Sequence, residues 1–133
     1  MIEENASIDE IRTIFENDRF ATQAAGCIIV EAKRGHAVCE MPLAPIHRNA
    51  AGGIMGGAIF TLADFALAVA SNVGESPTVS AMNTIEFMNS VKGEKLIACC
   101  DVDKSGRRLG FYTVEVRDDT GRAVAKMTAA CAR

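Results

Sequence analysis

The sequence lacks any excess of positive charge. Lys and Arg number 14 against 17 Asp and Glu, a net charge of −3. A nucleic-acid partner is therefore not expected. No charge run exceeds three residues, so no interaction tail is visible. There are only three prolines, no repeats and no low-complexity stretch, and hence no internal boundary or linker. The 133 residues read as one domain. No Cys-x-x-Cys occurs, and the five cysteines are an odd number, which argues against a closed disulfide framework. Most lie among apolar or alternating residues and read as small buried hydrophobes in a reducing compartment. Two histidines far apart suggest no metal constellation, and no metal is expected. The acidic start Met1-Ile2-Glu3-Glu4-Asn5 has no apolar stretch behind positive charge, so no signal peptide is expected and a cytoplasmic setting follows.

What is present is patterned. Ser7 followed by Glu10 reads as a capping box, and Ile8, Ile11, Ile14 and Phe15 fall at helical spacing. A short amphipathic helix over residues 8–17 is expected. Residues 27–32 and 36–41 are two β-rich runs around an Arg34-Gly35 turn. Residues 42–53 form a loop. Residues 56–73 are helix formers, twelve of the eighteen being Ala, Val, Ile, Leu or Phe, apolar all round. Such a helix is buried on most sides or spans a membrane. Asp64 at the centre of so short a stretch disfavours the membrane. Four strands follow, over 78–89, 94–103, 107–117 and 122–131, with Gly-bearing turns between them that imply antiparallel neighbours. The fold class is α+β: an antiparallel β-sheet wrapped around a long central helix.

Candidate chemistry clusters on that helix. A carboxylate amid apolar residues is costly unless it is paired, hydrogen-bonded or wet. Asp64 shares its face with Gly57, Thr61, Ala68 and Ser71, the only small or polar stripe, so this face meets a cleft or a second subunit. A solvated Asp at an exposed edge is the competing interpretation. Ahead of it, Gly52, Gly53, Gly56 and Gly57 crowd the helix start. There the first amides lack internal partners and carry the positive dipole end, a place for an oxyanion or a phosphate. The loop follows no strand of a βαβ unit and lacks the Lys-Ser/Thr of a phosphate loop. No nucleophile elbow supports a Ser-His-Asp triad.

The run from His47 to Asp64 resembles the signature of hotdog-fold acyl-CoA thioesterases of the PaaI-like group. Their pattern is His-x-Asn-x-x-Gly-x-x-His-Gly-Gly, with an acidic residue eight positions after the first Gly of the pair. Here Asn49 stands seven before Gly56 and Asp64 eight after it. The resemblance extends through Val79–Asn83 and Gly106–Phe111 and covers nearly the whole chain. It implies a hotdog fold, hydrolysis of an acyl-CoA to the free acid and coenzyme A, no cofactor beyond that substrate, and a homodimer or dimer-of-dimers tetramer with sites at the subunit interface. It also implies roles for individual residues. Asp64 would be nucleophile or general base, and the Gly56 amide the oxyanion donor. Asn49 would position water or the carboxylate, and Ser80 would help hold the water. His47, Met55, Gly57 and Thr61 would lie against the substrate, and Lys104, Arg107 and Arg108 would receive the coenzyme A phosphates. One departure stands out: Met55 occupies the usual His position, offers no donor and cannot titrate. If that His assists the reaction, the chain would be slower, shifted in substrate, or a non-catalytic acyl-CoA binder.

Overall fold

The computed structural model describes residues 1–133. Helix α1 spans Ile8–Phe15, with Ser7 and Glu10 closing the capping box reciprocally and Ile11 and Phe15 buried. It stops two residues earlier than its sequence pattern suggests. The amides of Asn17 and Asp18 bond three residues back, and the Asn17 carboxamide donates to the Ile14 carbonyl, which tightens the last turn. A π-helical turn, Phe20–Ala24, follows, closed by the Ala25 amide on the Phe20 carbonyl. Nothing in the apolar periodicity marks it.

Strands β1 (Ile28–Lys33) and β2 (His36–Pro42) form the first hairpin. Gly35 turns it at φ 73°, and a Cβ there would fall 2.7 Å from Val102 Cγ1, so only glycine fits. After a 3₁₀ turn at Pro45–His47, helix α2 runs over Gly56–Asn72. Leu62, Ala63, Ala66, Val69 and Ala70 are wholly buried against the sheet. This explains why the helix is apolar on nearly every side. It is not long and apolar enough to cross a membrane, nor is any other helix.

The remaining strands are β3 (Val79–Phe87), β4 (Lys95–Ser105), β5 (Leu109–Asp118) and β6 (Ala123–Ala132). All pairings are antiparallel, and the six-stranded sheet has the order β1-β2-β4-β5-β6-β3. This corrects one sequence expectation. Strands β3 and β4 are consecutive but not neighbours, because Val91-Lys92-Gly93 is no hairpin turn. Its amides are captured elsewhere: Lys92 and Gly93 donate to Asp118 Oδ2 at 2.9 and 3.1 Å. Strand β3 therefore pairs with β6 and leaves its other side as a free edge. Along that edge Val79 and Met82 are about 70% exposed.

Asp118 is buried and organises the end of the sheet. Its other oxygen accepts from the Thr120 and Arg122 amides at 3.0 and 3.1 Å and from the Thr120 hydroxyl. The Thr120 hydroxyl, then the amides of Lys92, Arg122 and Gly93, hold the carboxyl well below the usual carboxylate range. The folded state therefore favours the ionised form. Its contribution is fully present above the unfolded value of about 3.9 and is lost as pH falls toward the lower folded value. Asp118→Ala should lower Tm by roughly 5 °C or more at pH 7. The gap from wild type should narrow on titrating below about pH 4. Thermal melts across pH check this; a gap that stays constant to pH 2 would assign the loss to packing instead.

Candidate active site

The candidate residues divide between two ends of one helix face. The first cleft, of about 560 Å³, opens at the start of α2 and is lined by Arg48, Gly53, Gly56, Ile59, Phe87 and Asn89 among others. The Asn49 carboxamide builds this end. Its Oδ1 accepts from the Ala51 and Gly53 amides at 3.0 and 3.1 Å, and the Asn49 backbone N–H donates to the Gly53 carbonyl at 2.8 Å. The loop thus curls tightly before the helix, and Met55, in extended conformation, takes the N-cap position. The Gly56 and Gly57 amides that follow have no acceptor within the chain. Absence of a side chain matters at Gly56: a Cβ would stand 3.3 Å from the Phe87 ring. Phe87 is a wall residue that alternation alone had placed only as strand.

His47 is placed differently from its expected role at the substrate. It is buried, its Nε2 donates to the Ala25 carbonyl at 2.6 Å, and its Nδ1 accepts from the Ala44 amide at 3.0 Å. Both ring nitrogens are spent on backbone, so His47 clamps the loop to the segment after the π-helical turn. Met55 is about half exposed and its Cε lies against Gly57.

The second cleft, of about 350 Å³, lies along the middle of α2 and holds Asp64 with Thr61, Phe60 and Ala68. Its far wall is Asp18, Arg19, Phe20 and Ala21. Sequence reasoning missed that wall, since it belongs to the aperiodic stretch between α1 and β1; the only hint was an aromatic flanked by charge. Thr61 spends its hydroxyl proton on the Gly57 carbonyl at 2.8 Å. Eight residues of helix separate Gly56 from Asp64, about 12 Å along the axis. The two residues therefore open into different clefts of the same chain.

Ser80 lines neither cleft. It lies on the free-edge strand β3, opposite Cys131 in the ladder, exposed to solvent. Strand β3 runs against α2 with Phe87 at the helix start and Thr78 bonded to Asn72 at its end, so Ser80 belongs to the C-terminal half. Lys104, Arg107 and Arg108, at the β4–β5 turn, are exposed and form no ion pair. That turn is also at the C-terminal end of α2, where Ser105 meets Glu75.

The thioesterase superfamily pattern matches residues 51–125, the stretch from the glycine loop to the last strand. The chain belongs to that superfamily. The Escherichia coli acyl-coenzyme A thioesterase PaaI is 32% identical over 113 residues, 84% of this chain and 80% of that protein. The E. coli PaaI structure superposes with a TM-score of 0.85 at 29% identity, covering 91% of this chain and 88% of that one. Human acyl-coenzyme A thioesterase 13 is 33% identical over 102 residues, 74% of this chain and 73% of that protein. A Streptococcus mutans protein solved bound to acetyl-CoA has a TM-score of 0.76 at 25% identity, covering 80% and 86% of the two chains. The sheet order and central helix are those of the hotdog fold, and the chain is a PaaI-like hotdog thioesterase.

In this thioesterase no side chain or amide of the chain bonds the Asp64 carboxylate. Burial pushes its carboxyl above the ordinary carboxylate range, and the like charge of Asp18 pushes it further the same way. A carboxylate that must be ionised to act then loses activity on acidification at a higher pH than a free Asp would. Asp18→Asn removes the repulsion, so the acid limb of the kcat/KM profile should move to lower pH while the plateau stays near wild type. Initial rates from pH 4 to 8 check it; an acid limb that stays put would show that the Asp18 charge does not reach the titrating group.

Proposed function

We propose that the protein hydrolyses an acyl-CoA thioester to a carboxylic acid and free coenzyme A, at sites each shared by two copies of the chain. The observation that carries this reading is the separation just described. An oxyanion donor at Gly56 and a carboxylate at Asp64 must both act within roughly 3 Å of one carbonyl. One helix holds them about 12 Å apart. Two helices packed antiparallel about a two-fold axis bring Gly56 of one beside Asp64 of the other, twice over. The small residues Gly57 and Thr61 permit close approach. Phe20, Ile46 and Met55, exposed at 72, 72 and 54%, offer apolar surface for a second copy to cover.

The Gly56 amide donates to the thioester oxygen and stabilises the charge that grows there. Asp64 takes a proton from water as that water attacks the carbonyl carbon. The tetrahedral intermediate collapses with cleavage of the C–S bond, and the coenzyme A thiolate regains a proton. Alternatively the Asp64 oxygen attacks the carbonyl carbon and expels the coenzyme A thiolate, giving an anhydride that water opens at the Asp64 carboxyl carbon; single turnover in ¹⁸O-water then labels Asp64, which the general-base route does not. Asn49 holds the loop that presents Gly56, and its Nδ2 remains free to position water. Ser80 belongs to the Asp64 half, as do Lys104, Arg107 and Arg108, whose unpaired charges suit the phosphates of coenzyme A.

Met55 supports a second reading, a non-catalytic acyl-CoA binder. The N-cap position has no side-chain donor, where the signature that the sequence resembles has a His. A panel of aromatic and aliphatic acyl-CoAs, followed by thiol release, tests both. Steady release on at least one substrate is expected, and Met55→His should preserve or raise it. A wild type inert across the panel that Met55→His switches on would establish the binder.

A further inference from the structure

We infer that the outer face of the sheet carries a zinc-class cation site formed by His36, Cys99 and Asp101, with Glu31 orienting the imidazole. These residues come from three strands. His36 on β2 faces Asp101 on β4 across the ladder. Cys99 lies two residues before Asp101, on the same face. Glu31 on β1 sits opposite Val38, whose partner on the other side is Cys99. The neighbours Ala37, Ala98 and Cys100 are fully buried beneath the sheet, which fixes the alternate residues outward. One donor atom from each of His36, Cys99 and Asp101 lies within 4.8 Å of the other two.

His36 bridges two carboxylates, Glu31 and Asp101, and Cys99 adds a sulfur donor beside Asp101. His36 Nδ1 is 2.7 Å from Asp101 Oδ1, and Cys99 Sγ is 3.6 Å from Asp101 Oδ2. The remote nitrogen, Nε2, is 2.9 Å from Glu31 Oε2. A carboxylate on the remote nitrogen is the usual companion of a metal-bound histidine, because it keeps the proton on that nitrogen and leaves the other lone pair free. Imidazole, thiolate and carboxylate together suit a borderline cation such as Zn²⁺. A tetrahedral zinc would draw the three donor atoms to about 3.4–3.6 Å apart, which side-chain rotation of Cys99 and Asp101 supplies. Asp101 is 64% exposed, so water can take the fourth position. On binding, the cation accepts the Nδ1 lone pair, the Sγ pair and a carboxylate oxygen, and both the thiol proton and the proton that Nδ1 donates to Asp101 leave to solvent. Glu115, opposite Cys99 in the β4–β5 ladder, adds negative potential, and Lys33 opposes it. The chain order hid this site. The histidine and the other two ligands are more than 60 residues apart, and only the pairing of β2 with β4 brings them together.

Cobalt and zinc titrations of the whole protein test it. Co²⁺ added to wild type should give the charge-transfer band of a cobalt–thiolate bond, saturating at one equivalent per chain. Zn²⁺ should displace it. Cys99→Ser should abolish the band, and both Cys99→Ser and His36→Gln should weaken Zn²⁺ at least tenfold, measured against a chromogenic chelator. Glu31→Gln should weaken it by roughly tenfold. The metal-free variants should melt near the wild type, and zinc should raise Tm only where the ligands are intact. No cobalt–thiolate band in wild type would overturn the site. So would a band that survives in Cys99→Ser, or unchanged zinc affinity in His36→Gln.

Discussion

Asp64→Asn should lower kcat by about 10²-fold or more while KM changes little, as for a group whose interaction is made mainly in the transition state. The substitution keeps the shape of the side chain and removes only the charge and the basic oxygen. Its second expected effect has the opposite sign on stability. Burial and Asp18 disfavour the ionised carboxylate in the folded chain. The folded value therefore lies above the unfolded one, and ionisation costs stability at every pH above the folded value. Asparagine carries no such cost, so Asp64→Asn should melt above wild type at pH 7. The difference should shrink on acidification, as the native carboxyl takes up its proton. A variant that keeps kcat within a factor of about three would sink the catalytic assignment, whatever its Tm. A variant both slower and less stable would make Asp64 a structural carboxylate.

Mixing two nearly inactive variants should restore activity. Asn49→Ala damages the loop that presents Gly56, and Asp64→Ala removes the carboxylate. If each site takes its loop from one chain and its carboxylate from the other, a hybrid dimer has one intact site and one doubly damaged site. Unfolded together in equal amounts and refolded, half the dimers are hybrids, so about a quarter of wild-type activity should return. The hydrogen bonds that the Asn49 carboxamide oxygen accepts stay within its own loop, which is why Asn49 and Gly56 travel together in this count. Mixed dimers seen on sizing without recovered activity would place both residues in one chain's site and defeat the shared arrangement.

Much of this was readable from local chemistry. The capping box at Ser7, the burial of α2 and the glycine turn at Gly35 each follow from a few neighbouring residues, and each is found in the structure. Helix chemistry singled out the glycine-rich start and Asp64, and the resemblance to the thioesterase signature added Asn49. What was not readable depends on residues distant in sequence. Strand β3 pairs with β6 rather than β4, and the turn after it is tied to Asp118, some 25 residues later in the chain. The π-helical turn has no periodic pattern, so the wall facing Asp64 went unseen. His47 sits inside the family signature, yet its ring binds Ala25, 22 residues upstream, and its role is to clamp.

That clamp gives the stretch between α1 and β1 an unusual freedom. Its two ends are pinned, one by the closing turn of α1 and the other by the imidazole on Ala25. Of the residues between, Asp18 to Ala21 line the Asp64 cleft, and the Phe20 side chain is 72% exposed. Under the proposed chemistry, the shape of the Asp64 cleft can therefore be altered through residues 19–21 alone, leaving the glycine loop, Asp64 and the neighbouring charge of Asp18 untouched. Cleft shape and catalytic machinery are then inherited as separate traits, and a library confined to positions 19–21 is the economical route to new specificities.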